Sequence, residues 1–164
     1  MRLGVMCSGN GTNFENIVRS CRQDEVVLML YNKKHCGAKK RANKLGIPNC
    51  HVKHCDEDDI IKLFNAYNVD LIVLAGWMKI VSPKLIEAFP NRLINLHPSL
   101  LPKYKGLHAI ERALNSNDTV TGVSVHYVNE ELDGGELILQ EEVPILPNDD
   151  VESLTKAIQR KEYY

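Results

Sequence analysis

Residues 92–102 read RLINLHPSLLP. If the apolar run is a strand, side chains alternate between its two faces. Asn95 and His97 then share one face, Ile94 and Leu96 take the other, and Pro98 ends the strand at once. An amide N–H donor beside an imidazole suits a reaction in which a carbonyl oxygen turns negative while an amine loses protons. The amide would face the oxyanion and the imidazole would support it or move the proton. A catalytic histidine commonly takes its orientation from a third group. NEELDGGEL (129–137) offers Asp133, followed by two glycines that let the backbone bend sharply or approach a ligand. The plainer readings are a strand-end Asn–His pair that ties down a loop, and an ordinary Asp-Gly hairpin turn. Ser99 follows closely, but no G-x-S-x-G elbow surrounds it, so direct transfer without a covalent enzyme intermediate is the simpler chemistry.

A second segment, CSGNGTNF (7–14), places Gly9 and Gly11 between an apolar run and an amphipathic one. Backbone N–H groups at a helix N-terminus bind phosphate; a tight strand–helix turn capped by Asn or Thr is the alternative. A dinucleotide fits poorly. The third glycine of that fingerprint falls on Phe14, and the second strand ends at Tyr31-Asn32 where a ribose-binding acid is expected. No Lys-Ser/Thr pair follows the glycines, which excludes a nucleoside-triphosphate loop. A single phosphate monoester fits best.

CHVKHC (50–55) gathers Cys50, His51, His54 and Cys55, all residue types that zinc accepts. The two cysteines enclose both histidines and no second paired knuckle exists, so no metal site is expected. His126 alternates with Val125 and Tyr127, as a satisfied sheet histidine or a supporting group would.

The elements that must position these groups alternate along the chain. Strands are expected over 2–7, 26–31, 49–53, 70–76 and 92–97, and helices over 13–21, 37–45, 56–68 and 82–89, the last with a Ser82 cap and Pro83 at its first position. A short helix near 108–115 precedes two strands, 121–128 and 136–145, joined by a short link and therefore antiparallel. Asp149 with Glu152 gives a capping-box start to the final segment. The pattern predicts one α/β domain over residues 1–164, a Rossmann-like, mostly parallel sheet with helices on both faces and an antiparallel C-terminal strand pair. Ligands of such sheets collect at the carboxyl ends of the strands. SGNGTN, GWMKI and NLHPSLLP all fall there.

The net charge of −1 gives no global field for nucleic acid or anionic membrane. Five irregularly spaced cysteines argue against a disulfide framework, and no apolar run reaches spanning length. A reducing cytoplasm is the expected compartment.

SGNGTN, AGWMKIV, NLHPSLLPKYKG and ELDGGE, in this order and spacing, resemble the glycinamide ribonucleotide formyltransferase family over essentially the whole chain. HPSLLP marks the wider group of formyltransferases and formyl hydrolases; GNGTN narrows it. The resemblance implies formyl transfer from 10-formyltetrahydrofolate, as cosubstrate and without a metal, to the amine of glycinamide ribonucleotide in purine synthesis. It implies Asn95, His97 and Asp133 as the catalytic trio, with Asp133 holding His97 and helping the proton leave through water. Gly11, Thr12 and Asn13 match its phosphate loop, and Glu162 an acid that contacts the ribonucleotide. Met78, Lys79, Ile80 and Val81, Asn95, and the run Asn129, Glu130, Glu131, Leu132 and Asp133 match its folate-binding segments; the resemblance implies a phosphate-binding N-terminal half and a folate-binding and catalytic C-terminal half. The stretch near 52–58 is shorter than usual, and no folate-binding arginine is carried over. The partners implied are these two small molecules, with neither nucleic acid nor membrane, on a monomer or homodimer. A formyl-folate hydrolase, a methionyl-tRNA formyltransferase and a non-catalytic nucleotide-binding module are the alternatives; the extra modules usual in the first two are not seen in this sequence.

Overall fold

The run RLGVMC forms strand β1 (Arg2–Cys7), and its last five residues are buried. Burial of successive residues means that both faces of the strand are covered, as in a parallel sheet flanked by helices. Leu3, Val5 and Cys7 join one apolar cluster with Phe14, Ala38 and Ala42, whereas Gly4 on the opposite face lies against Phe64. The computed structural model describes residues 1–20, 23–52, 56–77, 81–106, 108–129 and 135–162, with the side chains of 159–162 left aside.

The chain divides into two compact units, Met1–Ile94 and Asn95–Tyr164. The first contains β1, α1 (Thr12–Ser20), β2 (Glu25–Tyr31), α2 (Gly37–Leu45), β3 (Asn49–His51), α3 (Glu57–Ala66), β4 (Leu71–Leu74), α4 (Pro83–Ala88) and the start of β5 (Leu93–His97). β1 pairs in parallel with β2 on one side and β4 on the other, and β2 with β3. The chain therefore runs outward from β1 to β3 and returns beyond β1 at β4. That reversal is a topological switch point, where open sheets leave a crevice at the strand ends. The Ser8 N–H donates to the Gly76 carbonyl at 3.1 Å, so the ends of β1 and β4 meet there.

Helix ends in this unit follow local chemistry, with one correction. Asp56 caps α3, accepting from the Asp58 N–H at 3.0 Å. Ser82 occupies the cap position of α4 but makes no side-chain cap. Its hydroxyl and its N–H both donate to the Glu57 carboxylate, and such charge-assisted bonds are stronger than the neutral cap bond the hydroxyl would have accepted.

The second unit holds the rest of β5, α5 (Ala109–Leu114), β6 (Val120–Tyr127), β7 (Leu137–Pro144) and α6 (Val151–Glu162). β6 and β7 are antiparallel, as expected, and their register slips between Val125 and His126. Val123, Val143, Leu154 and Ile158 form its core, with Leu96 packed against it. Among the described residues, seven strands run in the order β3-β2-β1-β4-β5-β6-β7, a mixed sheet, mostly parallel with an antiparallel C-terminal pair.

The cap of α6 sits one residue later than expected. Because the helix starts at Val151, Asp150 is the cap: its Oδ1 accepts from the Ser153 N–H at 2.8 Å, and its own N–H donates to Ser153 Oγ at 3.0 Å. This is a reciprocal capping box with Ser153 in place of the expected acid. Asp149 instead accepts from the Leu146 N–H at 2.7 Å. The Ser153 N–H, and then its hydroxyl, hold the Asp150 carboxyl below the ordinary carboxylate range. A folded-state value lower than the unfolded one stabilises above the ordinary range, and that contribution is lost as pH falls through the folded value. Asp150→Asn keeps an acceptor but cannot titrate. The Tm advantage of the native chain over this variant should therefore shrink as the buffer is taken from about pH 6 to below about 3.9; a constant difference would remove the charged cap.

Candidate active site

The glycine loop of the first unit is built by close packing. Gly11 has φ +78°, and a Cβ there would lie 2.7 Å from the Ala38 Cα. Its carbonyl accepts from the Glu15 N–H at 2.9 Å, so Gly11 is the residue from which α1 starts. Thr12 and Asn13 are thus the first two helical residues rather than caps, and first-turn N–H groups have no acceptor within the helix. Arg41 fixes the loop from behind: its Nε donates to the Asn10 carbonyl and its guanidinium pairs with Glu15, both at 2.8 Å. Phe14 is fully buried in the core cluster. A ring therefore fills the position where a dinucleotide fold needs glycine.

In the second unit, Leu96 packs into the apolar cluster, while Asn95 and His97 engage polar partners, which confirms the expected alternation. His97 is 6% exposed, and its Nε2 lies 2.7 Å from the Tyr104 carbonyl oxygen. A carbonyl only accepts, so Nε2 carries the proton. His126 is buried in β6, at the point where the register with β7 slips by one β7 residue. Its Nδ1 donates to the Tyr127 carbonyl at 2.9 Å, which leaves Nε2 as acceptor for the Asn95 Nδ2–H at 3.3 Å. The histidine thereby decides which way the amide of Asn95 faces. Alternation with apolar neighbours marks His126 as a sheet histidine, but its partner Asn95, thirty-one residues away, is not legible in the sequence.

The segment after His97 is sewn down by hydroxyls. Ser99 is fully buried and donates to the Lys103 carbonyl at 2.6 Å, a structural role in keeping with the absence of a nucleophile elbow. Ser124 donates to the Ser99 carbonyl at 2.6 Å and accepts from the Leu101 N–H at 3.1 Å. Gln140 reaches from β7 to the Leu101 carbonyl at 2.8 Å.

Several expected site residues lie outside the described residues: Asp133 and Gly134, with Glu130, Glu131 and Leu132, and the folate-segment residues Met78, Lys79 and Ile80. The same holds for the side chain of Glu162. Val81 is buried and Asn129 is exposed. A Cβ on Gly135 would sit 1.6 Å from the Tyr127 carbonyl oxygen, so this glycine serves the return into β7. At the suspected zinc motif, His51 Nε2 lies 3.2 Å from the Asn32 carbonyl and its ring packs 5.5 Å from that of Tyr31. His54 and Cys55 are outside the described residues; among those described, no group of three or more His, Cys, Asp or Glu could hold a metal ion. Among the same residues, no helix is long and apolar enough to cross a membrane. Burial, with a smaller contribution from neighbouring Cys36, pushes the Cys7 thiol up to about 12, so it stays protonated.

The formyl transferase family model matches residues 1–164, the whole sequence. The chain belongs to the formyl transferase family. The relatives place it among enzymes of purine synthesis. It is 38% identical to the phosphoribosylglycinamide formyltransferase of Haemophilus influenzae, with 99% of this chain and 82% of the relative aligned. It is also 38% identical to the trifunctional purine biosynthetic protein adenosine-3 of Drosophila melanogaster, of which it spans 13%. The crystal structure of glycinamide ribonucleotide transformylase 1 from Symbiobacterium toebii superimposes with a TM-score of 0.96 at 36% identity, over 99% of this chain and 82% of that one. Within a formyl transferase, the polar cluster at the end of β5 gains a chemical meaning. An amide oriented by His126 and an imidazole with an assigned tautomer are groups able to support an oxyanion and to move a proton.

Proposed function

We propose that this chain transfers the formyl group of 10-formyltetrahydrofolate to the amine of glycinamide ribonucleotide. The amine lone pair attacks the formyl carbon, a C–N bond forms, and the carbonyl oxygen becomes an oxyanion in a tetrahedral intermediate. Asn95 has two amide N–H groups; one is given to His126, and the other is assigned to the oxyanion. His97 carries the proton lost by the amine to the folate nitrogen as the old C–N bond breaks. Asp133 acts on His97 through a water that donates to Nδ1, and helps the proton leave by that route. Gly11, Thr12 and Asn13 hold the ribonucleotide phosphate by backbone N–H groups at the start of α1, and Glu162 contacts the same substrate. Met78 to Val81 and Asn129 to Asp133 bind the folate. The residues act together as one functional domain on small molecules in the cytoplasm.

The observation that carries this reading is the pre-oriented Asn95–His126 pair beside the His97–Tyr104 pair, on a strand end whose sequence is the family's NLHPSLLP. The test is incubation with both substrates. Formylated ribonucleotide should appear in step with deformylated folate. Donor consumption that proceeds equally without the ribonucleotide would instead establish a hydrolase, and binding of both ligands with no product would defeat the proposal.

A further inference from the structure

Tyr104 is an unusual residue to find behind a catalytic imidazole. Its φ is +56°, in the left-handed region that costs a non-glycine residue about 1 kcal/mol or more. That backbone turn aims its carbonyl at His97 Nε2, 2.7 Å away. Contacts from Asp118, Lys103 and Arg112 hold the turn. The Tyr104 hydroxyl donates to Asp118 Oδ2. Lys103 Nζ pairs with Asp118 Oδ1 at 3.2 Å. The Arg112 guanidinium lies 5.8 Å from the Tyr104 ring centroid and donates to the Lys105 carbonyl. Asp118 is itself fixed, because its N–H donates to Ser116 Oγ at 3.0 Å. Its carboxyl is held below the ordinary range first by the Tyr104 hydroxyl and then by Lys103, so it is a charged acceptor at neutral pH.

We propose that Asp118, acting through the hydroxyl and backbone of Tyr104, is a positioning residue that sets the tautomer of His97 and thereby makes Nδ1 the nitrogen that exchanges the reaction's proton. The inference rests on the reading of His97 as proton carrier. In the neutral ring one nitrogen donates and the other holds the lone pair. With Nε2–H committed to a carbonyl, the lone pair belongs to Nδ1. If the turn relaxed, the carbonyl would move off Nε2, the two tautomers would mix, and part of the enzyme would present the wrong nitrogen. A small displacement of a reacting group is enough to cost a large factor in rate.

Two variants remove the same bond from opposite sides, Asp118→Ala and Tyr104→Phe. Each should lower kcat about tenfold with both KM values within about twofold, and the double variant should fall no further. Asp118→Asn keeps an acceptor for the hydroxyl and should restore most of the rate. The readout that a merely structural role would not move is the ¹⁵N–¹H long-range spectrum of the imidazoles above their ordinary titration range, with His97 assigned by the loss of its signals in His97→Ala. The native chain should show His97 as Nε2–H alone, and both variants a mixture. A pure Nε2–H pattern retained in both variants would overturn the proposal, as would an Nδ1–H pattern in the native chain. The spectrum needs no turnover, so it separates failure of this inference from failure of the formyl-transfer reading.

Discussion

His97→Ala lowers formyl transfer by about a hundredfold to ten-thousandfold, the range for loss of a positioned acid–base group. The expected loss lies in kcat, because the proposed role of the imidazole is to handle a proton and not to hold either substrate. Stability should fall modestly as well. The buried ring leaves a void, and the Tyr104 carbonyl loses its donor at 2.7 Å, an unpaired acceptor costing about 1–3 kcal/mol. A thermal melt therefore accompanies the kinetics: the variant should still unfold cooperatively, below the native Tm but well above the assay temperature. Turnover at the native rate in a folded His97→Ala protein would take the residue out of the mechanism. A loss confined to KM would move it from proton transfer to binding.

Gly11→Ala should also be damaging, by a smaller factor and for a different reason. The new methyl meets Ala38 Cα at 2.7 Å and Ala38 Cβ at 2.8 Å, and neither is the end of a flexible side chain. Left-handed backbone adds about 1–2 kcal/mol for alanine, and forcing the loop from α2 adds about 1–3 kcal/mol. The chain relieves this by moving the loop, which withdraws the first-turn N–H groups from their assigned phosphate. One charge-assisted hydrogen bond is worth about 1.5–3 kcal/mol, so KM for the ribonucleotide should rise about tenfold to a hundredfold while folate affinity changes little. Steady-state kinetics with each substrate varied in turn decides this. Equal weakening of both substrates would mean that the first unit had simply lost its structure.

These two residues also mark how much of the molecule can be read from its sequence. The alternation of strands and helices, the parallel core and the antiparallel pair followed from hydrophobic period and turn residues, and the register of Asn95 and His97 followed from strand geometry alone. Local chemistry was less exact at helix ends. Asp149 with Glu152 satisfied the capping pattern in sequence, yet Asp150 and Ser153 make the box because the helix begins one residue later. Ser82 had the right type and place for a cap, but a carboxylate from α3 outcompeted its own helix. Both outcomes turn on a competition between hydrogen-bond partners that a linear pattern does not record.

By itself, then, the sequence determined the elements, the strand faces and the family, because these depend on periodicities and motifs written along the chain. Only the tertiary structure decided which nitrogen of His97 carries its proton, which way Asn95 turns its amide, and why Gly11 tolerates no side chain. Each of those is set by a partner seven to thirty-one residues away: the Tyr104 carbonyl, the His126 ring and the Ala38 backbone. A hydrogen bond or a close contact acts through distances of a few ångströms, and residues remote along the chain come within such distances only when the sheet and its loops have closed.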